Sequence, residues 1–345
     1  MRQPRKHANI PIFIPHLGCP NACVFCDQRA ISGHHGYDPD HVRREIEEIL
    51  TTLDDCEHRE IAFFGGSFTG IDRAQMIALL ELAQSYVNRG AVESIRLSTR
   101  PDYIDQEILS ILSRYAVRTV ELGLQSMDDR VLAASRRGHD SQIAQRACAL
   151  IKASGFELVG QMMIGLPLSD GASEKMTADR IVSLGADAAR VYPTVVFRGT
   201  ELARMTEQGG YHPLTEEEAV SRTADVLEIF DRGGIPVIRV GLCASETLSS
   251  DASVLAGANG SAVGEQAMGE IFSRRMRESL KNVRLGREVL FRVPKGAASR
   301  AAGHRRSNTV RLCGEYGLER IRIYEDATLC GYQIKLETTI SDKNA

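Results

Sequence analysis

Cys19, Cys23 and Cys26 stand in C-x3-C-x2-C spacing within the stretch GCPNACVFC, and no other feature restricts this chain so tightly. Three thiolates on one short loop, bent by Pro20 and Asn21, can converge on a single centre, as iron–sulfur ligation requires. With three protein ligands, the fourth iron of a [4Fe–4S] cluster stays open to a substrate or cofactor, unlike an electron-transfer cluster closed by four cysteines. Two other readings remain open at this point: a zinc site completed by His16 or a distant residue, and chance clustering of structural cysteines. Structural zinc usually takes paired C-x2-C units, and Cys56, Cys148, Cys243, Cys313 and Cys330 supply no second pair. Spacing therefore favours iron.

Such a loop needs a rigid support, and the sequence supplies a repeating one. Residues 10–16, IPIFIPH, read as a buried strand that delivers the cysteines at its C-terminal end. Helical spacing of Val42, Ile46, Ile49 and Leu50 follows Asp38-Pro39 and runs to about Leu53. Further strands are expected at 59–64, 93–98, 117–122, 156–164 and 188–195, with helical patterns around 76–87, 104–114, 140–153 and 172–184. Six βα repeats imply an α/β fold: a parallel sheet with right-handed crossovers, curled into a partial (β/α)6 TIM-like barrel with its helices outside. The segments GGSFTG, STRPDY, ELGLQS and GLP all follow strands, on the rim where parallel α/β folds place active sites. A helix at 215–232 and a strand at 235–241 are expected to cover the barrel's side.

After about Ser245 the rhythm is lost, which divides the chain into a core barrel over 1–245 and a smaller α+β extension over 246–345. Residues 252–264 read as a loop or linker, and 319–337 as a short hairpin turning near Asp326. Between Arg274 and Arg311 twelve Arg and Lys face two Glu, a local excess of +10 in a chain of −3, which leaves −13 for the rest. That segment is either a footprint for phosphate-rich ligands or a solvated face balanced by acidic neighbours.

With 43% hydrophobic and 25% charged residues over 345 positions, nothing argues for disorder and a sizeable core is expected. Eight cysteines are too few for a disulfide scaffold, and MRQPRKHANI has no signal-peptide core, so a reducing, cytoplasmic setting is expected. Prolines interrupt the charge-free stretch from Ala8 to Cys26, so no membrane role is expected.

Several rim residues carry possible chemistry. Gly65, Gly66 and Ser67 permit close backbone approach to a small ligand, although a lone glycine pair after a strand is more often only a turn. Gln125 and Arg137 offer an amide and a guanidinium, the latter suited to a carboxylate. Gln161 places an amide in an apolar strand and would need a partner such as a ribose hydroxyl. Met162 and Met163 read as core, and Arg136 as a solvated surface residue.

The cysteine spacing, with Phe25 before the third cysteine, is similar to the signature of radical S-adenosylmethionine (SAM) enzymes. VELGLQSMDDRVLAASRRGHD, STRPDY, GFELVGQMMIGLPLSD and ARVYPTVVFRGTELARM resemble, over about residues 10–215, the radical SAM domain of the Elongator catalytic subunit, a family that modifies tRNA wobble uridine. The resemblance implies that Cys19, Cys23 and Cys26 hold a [4Fe–4S] cluster, which binds SAM and reduces it to release a 5′-deoxyadenosyl radical. It implies a SAM site lined by Phe25, Gly65, Gly66, Ser67, Ser98, Gln125, Arg137 and Gln161, with Arg100, Tyr192, Arg198 and Thr200 towards the substrate. It also implies a tRNA or other RNA substrate and an external electron donor of flavodoxin or ferredoxin type, and says nothing of oligomeric state. These 345 residues are expected to hold no counterpart of that family's acetyltransferase domain, so its full uridine chemistry is not carried over, and residues after Ser245 show no clear similarity to its RNA-binding regions. The LGLQS, RRGHD and IGLP segments are also similar to oxygen-independent coproporphyrinogen oxidase, which keeps a porphyrinogen oxidase or dehydrogenase as an alternative. A non-catalytic iron–sulfur or haem-handling protein is a third.

Overall fold

A computed structural model of the protein describes residues 7–14, 23–26, 39–53, 56–242, 253–260, 262–281, 283 and 286–338. Cys19, Cys243 and His16 lie outside the described residues. Seven parallel strands form one curled sheet in sequence order: β1 (His7–Ile14), β2 (His58–Gly65), β3 (Ser94–Thr99), β4 (Val117–Gln125), β5 (Glu157–Ile164), β6 (Ala188–Pro193) and β8 (Val237–Val240). A short strand, β7 (Val195–Phe197), intervenes before β8. The crossovers are α1 (Pro39–Leu50), α2 (Arg73–Asn88), α3 (Gln106–Leu112), α4 (Asp129–Ala134) with α5 (Ser141–Ala153), α6 (Gly171–Ser183), and α7 (Glu201–Glu207) with α8 (Glu216–Arg232). This is the expected partial TIM-like barrel with one strand more than expected, because 237–240 pairs with β6 instead of covering its side.

Alternation within each strand divides the barrel into two environments. Ile10, Ile12, Ile61, Phe63, Ile95, Leu97, Val120, Leu122, Met162 and Val191 are fully buried and belong to the main core. The intervening positions, Glu60, Arg96, Glu121, Gly123, Gln161, Arg190 and Tyr192, point to the opposite, inner face. Met163 alternates with Met162 and lies on the Gln161 face, half-buried, so only one of the two methionines is a core residue.

Helix starts are set by side-chain caps. Asp72 accepts from Ala74 and Gln75, Asp105 from Ile108, and Asp140 from Ile143, while Asp170 and Thr215 form capping boxes. No helix among the described residues is long and apolar enough to cross a membrane.

Packing continues past residue 245. Val254–Gly257, expected as linker, is strand β9, which pairs antiparallel with β7. Helix α9 (Val263–Leu280) puts Ala267 and Ile271 into the barrel core and Phe272, Met276 and Leu280 into a second core. That second core lies under β10 (Glu288–Pro294), α10 (Ala298–Ala302), α11 (Ser307–Tyr316), β11 (Arg320–Asp326) and β12 (Lys335–Thr338). The expected 319–337 hairpin is not formed: β11 pairs parallel with one edge of β10, and β12 antiparallel with the other. The described part of the basic segment is therefore folded structure.

Gly65 closes β2 with φ +101, and a Cβ there would stand 2.7 Å from the Ile14 carbonyl oxygen. Gly65→Ala is expected to cost about 1–3 kcal/mol of stability, because a left-handed backbone and a main-chain clash coincide. Chemical denaturation measures this, and an unchanged midpoint would show that the β1–β2 junction yields freely.

Candidate active site

The segment Cys23–Cys26 is a tight turn, closed by Cys26 N–H donating to the Cys23 carbonyl at 3.1 Å. Val24 fixes it from two sides: its N–H donates to the Ser135 carbonyl at 3.2 Å, and its carbonyl accepts from Leu202 N–H at 2.7 Å. The Val24 side chain is buried with Val196, Leu202, Ala203 and Tyr211, and Phe25 packs on the same cluster. The aromatic residue before the third cysteine thus belongs to the turn's apolar anchor.

Cys23 is 6% exposed, and its sulfur receives Arg137 Nη1 at 3.3 Å and Arg100 Nη1 at 3.7 Å. Two guanidiniums around one sulfur suit a ligand that carries negative charge. Each arginine is itself held in place. Asp102 accepts from Arg100 Nε and Nη2, both at 2.9 Å, and Arg100 Nη2 also donates to the Arg137 carbonyl. Arg137 Nη2 donates to the Gly123 carbonyl at 2.7 Å. Arg100, expected towards the substrate, lies buried beside Cys23.

Strand β4 bends to make this possible. Its register with β5 shifts between Gly123 and Gln125, and Gln125 takes φ 65, the effect of a bulge that redirects a side chain. A Cβ on Gly123 would stand 3.1 Å from Gln125 Nε2 and 3.6 Å from Arg137 Nη2, so the glycine lets amide and guanidinium share the rim. Gln125 Oε1 and Arg137 Nε are both buried without a hydrogen-bond partner.

The neighbouring strand ends complete the rim. Gly66 N–H donates to the Ile14 carbonyl at 3.1 Å, and Ser67 is buried ahead of the turn Phe68–Gly70. Thr69 ties that turn to β3 through Thr99 at 2.6 Å and to the turn after β3 through the Tyr103 carbonyl at 2.9 Å. Gln161 pairs in register with Gly123 and is half-buried on the inner face. Ser98 is half-buried, with its hydroxyl 3.5 Å from Glu121 Oε2. Thr200 is occupied as the cap of α7, donating to the Phe197 carbonyl and accepting from Ala203 N–H, while Arg198 is exposed. Arg136, exposed and paired with Glu201, is the surface residue it was read as.

Below the rim lies a charged floor that motif reading missed. Glu60 accepts from Ser94 at 2.5 Å and from Arg96 Nη2 at 3.0 Å, and His7 lies 2.9 Å from it. Arg96 Nη1 reaches Glu121 at 3.1 Å, Arg190 Nη2 reaches the same carboxylate at 2.9 Å, and Arg190 Nη1 lies 3.4 Å from the Tyr192 hydroxyl. Burial opposes ionisation of Glu60, but Ser94 and Arg96 outweigh it and hold the carboxyl below its usual range. Burial pushes the Tyr192 phenol up. The signal available was a lone charged residue within an apolar run: Arg96, Glu121 and Arg190.

His139 sits behind Arg137 with its side chain fully buried, Nδ1 3.7 Å from Asp102 Oδ1. Burial lowers its pKa to about 4, and the neighbouring Arg137 adds to the effect. The unfolded chain binds this proton at about 6.5 and the folded chain only near 4, so stability is complete above about pH 6.5 and falls as pH drops towards 4, by up to ~3 kcal/mol. Urea midpoints followed from pH 7.5 to 4.5 should fall less for His139→Phe than for wild type; parallel curves would show that the imidazole does not carry the loss.

Model matching assigns residues 13–179 to the radical SAM superfamily and residues 186–272 to a radical SAM C-terminal domain. With the half-barrel and its cysteine rim, this settles the class: the chain belongs to the radical SAM superfamily, whose enzymes bind a [4Fe–4S] cluster and SAM. Among its relatives, an uncharacterized protein of Methanocaldococcus jannaschii is 29% identical over 65% of this chain and 72% of its own length. The tRNA uridine(34) acetyltransferase of the same organism is 29% identical over 45% of this chain, which spans only 29% of that protein. In fold, the chain is similar to the archaeal Methanocaldococcus infernus Elp3 with its N-terminus deleted, at TM-score 0.61 and 20% identity, over 80% of this chain and 64% of that one. The Elongator-like resemblance read from the rim segments is thereby borne out.

Proposed function

We propose that the chain is an enzyme that carries a [4Fe–4S] cluster on Cys19, Cys23 and Cys26, cleaves SAM reductively at its open iron, and modifies tRNA or another RNA. The observation that carries this reading is the surroundings of Cys23: a buried sulfur faced by two guanidiniums, with the unpaired Gln125 Oε1 and Arg137 Nε on the same rim. A negatively charged ligand sulfur and a small polar cofactor suit that set, and an apolar structural cysteine does not need it.

When bound, the cluster and SAM supply one-electron reduction and carbon–sulfur cleavage to a 5′-deoxyadenosyl radical, chemistry that belongs to the cofactors. The chain's own residues orient and enclose. In this reading Arg137 would hold the SAM carboxylate, Gly66 and Ser67 its amino group, and Gln125, Gln161 and Ser98 its polar remainder. Val24 and Phe25 keep the cysteine turn seated, and the Glu60–Arg96–Glu121–Arg190 floor closes the inner face to bulk water. Tyr192, above that floor, faces the substrate side.

An RNA substrate is supported by the kinship to a tRNA uridine(34) acetyltransferase, of which the chain spans under a third. Residues 1–245 are proposed as the catalytic unit and 246–345 as the substrate-side extension, with a flavodoxin- or ferredoxin-type donor supplying the electron. The test is mass spectrometry of tRNA nucleosides from a strain lacking the protein: loss of one modified nucleoside, restored by wild type but not by Cys23→Ala, is expected. An unchanged nucleoside profile would remove tRNA as the substrate.

A further inference from the structure

Most cations of the basic segment are already spent. Arg274 pairs with Asp225 and Glu270, Arg275 with Glu228 and Asp231, Arg277 with Glu315, Lys281 with Glu278, Arg287 with Glu319, Arg292 with Glu337 and Arg311 with Glu270. Several of these partners come from α8, β12 and α11, far away in sequence, so seven cations of a run that reads +10 are paired in the fold. Among the described residues, the cations of this segment without an acidic partner are Lys295, Arg300, Arg305 and Arg306, joined by His304. All five lie in one place, the crossover from β10 through α10 and α11 to the parallel strand β11.

That crossover is rigidly built. Gly303 takes φ 80, and a Cβ there would come within 3 Å of Ser307 and Asn308. The buried Asn308 amide donates to the Gly269 carbonyl of α9 at 2.8 Å and to the Ala301 carbonyl at 3.2 Å, pinning the loop to the second core. His304, Arg305 and Arg306 are then exposed, and both arginines adopt left-handed backbone, φ 50 and 64. Non-glycine residues held in that region cost free energy that surrounding structure must offset, so the two guanidiniums are displayed by construction. Arg300 Nη2 bonds the Gly296 carbonyl at 3.3 Å, which keeps it on the Lys295 turn.

We infer that this loop, Gly303–Arg306 flanked by Lys295 and Arg300, is a clamp for the phosphodiester backbone of single-stranded RNA. KH modules clamp backbone nucleotides with a G-x-x-G loop; here a loop between two helices opens with Gly303 and has Arg306, in left-handed backbone, in the place of the second glycine. The unit lies outside both matched family segments, which end at residue 272. The inference deepens the proposed RNA substrate and rests on that reading for its biological meaning, but the binding itself needs neither cluster nor SAM.

The test uses the full reconstituted protein with a polyuridine oligonucleotide as probe, measuring affinity by anisotropy at several salt concentrations. The variant is Arg305→Asn with Arg306→Asn, because asparagine tolerates left-handed backbone and removes only charge. Wild type should show a steep fall of affinity with salt, and the double variant a slope smaller by about 1–2, with iron content and RNA-free SAM cleavage unchanged. Arg277→Gln, which breaks a paired arginine, should leave the slope as it is. Equal slopes in wild type and the double variant would overturn the clamp, as would tighter binding to anionic phospholipid vesicles than to RNA. If SAM is cleaved but no RNA binds at low salt, the clamp fails and the radical SAM reading stands. RNA binding with the expected slopes but no SAM cleavage keeps the clamp and removes the proposed radical chemistry.

Discussion

Cys23→Ala should leave the anaerobically reconstituted protein without an iron–sulfur cluster, where wild type holds about four irons per chain. Cys19→Ala and Cys26→Ala should do the same, since in the proposed function each removes one of three thiolate ligands. Cys148→Ala is the informative control. Its thiol is fully buried on α5, pushed up to about 12 by desolvation, and packed in the main core, so its loss costs some stability but no iron. Cys56→Ala should likewise keep iron. Iron analysis and visible absorbance together decide the matter. Stoichiometric zinc without the iron–sulfur absorption band, or full iron in any of the three motif variants, would contradict the assignment.

Arg137→Lys should weaken SAM binding by about 1–3 kcal/mol, roughly 5- to 150-fold, while iron content stays normal. The guanidinium does two things at once: Nη1 and Nη2 are taken by Cys23 and the Gly123 carbonyl, which leaves Nε buried and unpaired. Lysine has one ammonium and no planar fork, so it cannot serve the sulfur, the carbonyl and a carboxylate together. Arg100→Lys separates these roles. It keeps charge near Cys23 but loses the two-pronged contact with Asp102, so it should shift the cluster's reduction potential and change SAM affinity less than Arg137→Lys does. Calorimetric titration with SAM and a redox titration of the loaded protein read the two effects apart. Unaltered SAM affinity in Arg137→Lys with normal iron would make Arg137 a purely structural residue.

The barrel was legible because apolar residues at every second position and helical spacing between them write parallel βα units directly into the sequence. The seventh strand was misplaced for a physical reason: its four residues, VIRV, are half-buried or exposed at the sheet edge and give little alternation to read. The C-terminal hairpin failed differently. Two extended runs around a turn suggest pairing with each other, but β10 inserts between them and takes both edges. Charge was the least readable quantity, because Arg274, Arg275, Arg277 and Arg292 find partners 38–49 residues away. In the site, Gln125 and Arg137 were readable as a pair on one rim. Asp102 and the floor carboxylates Glu60 and Glu121 were not, since their importance comes from which arginines the sheet places beside them.

The central claim is that this rim performs SAM chemistry, and the most direct measurement is product analysis after reduction. Cluster-loaded protein incubated with SAM and a strong one-electron reductant should form 5′-deoxyadenosine and methionine in equal amounts. Cys23→Ala should form neither. Intact SAM after reduction of a protein with full iron content would contradict the account.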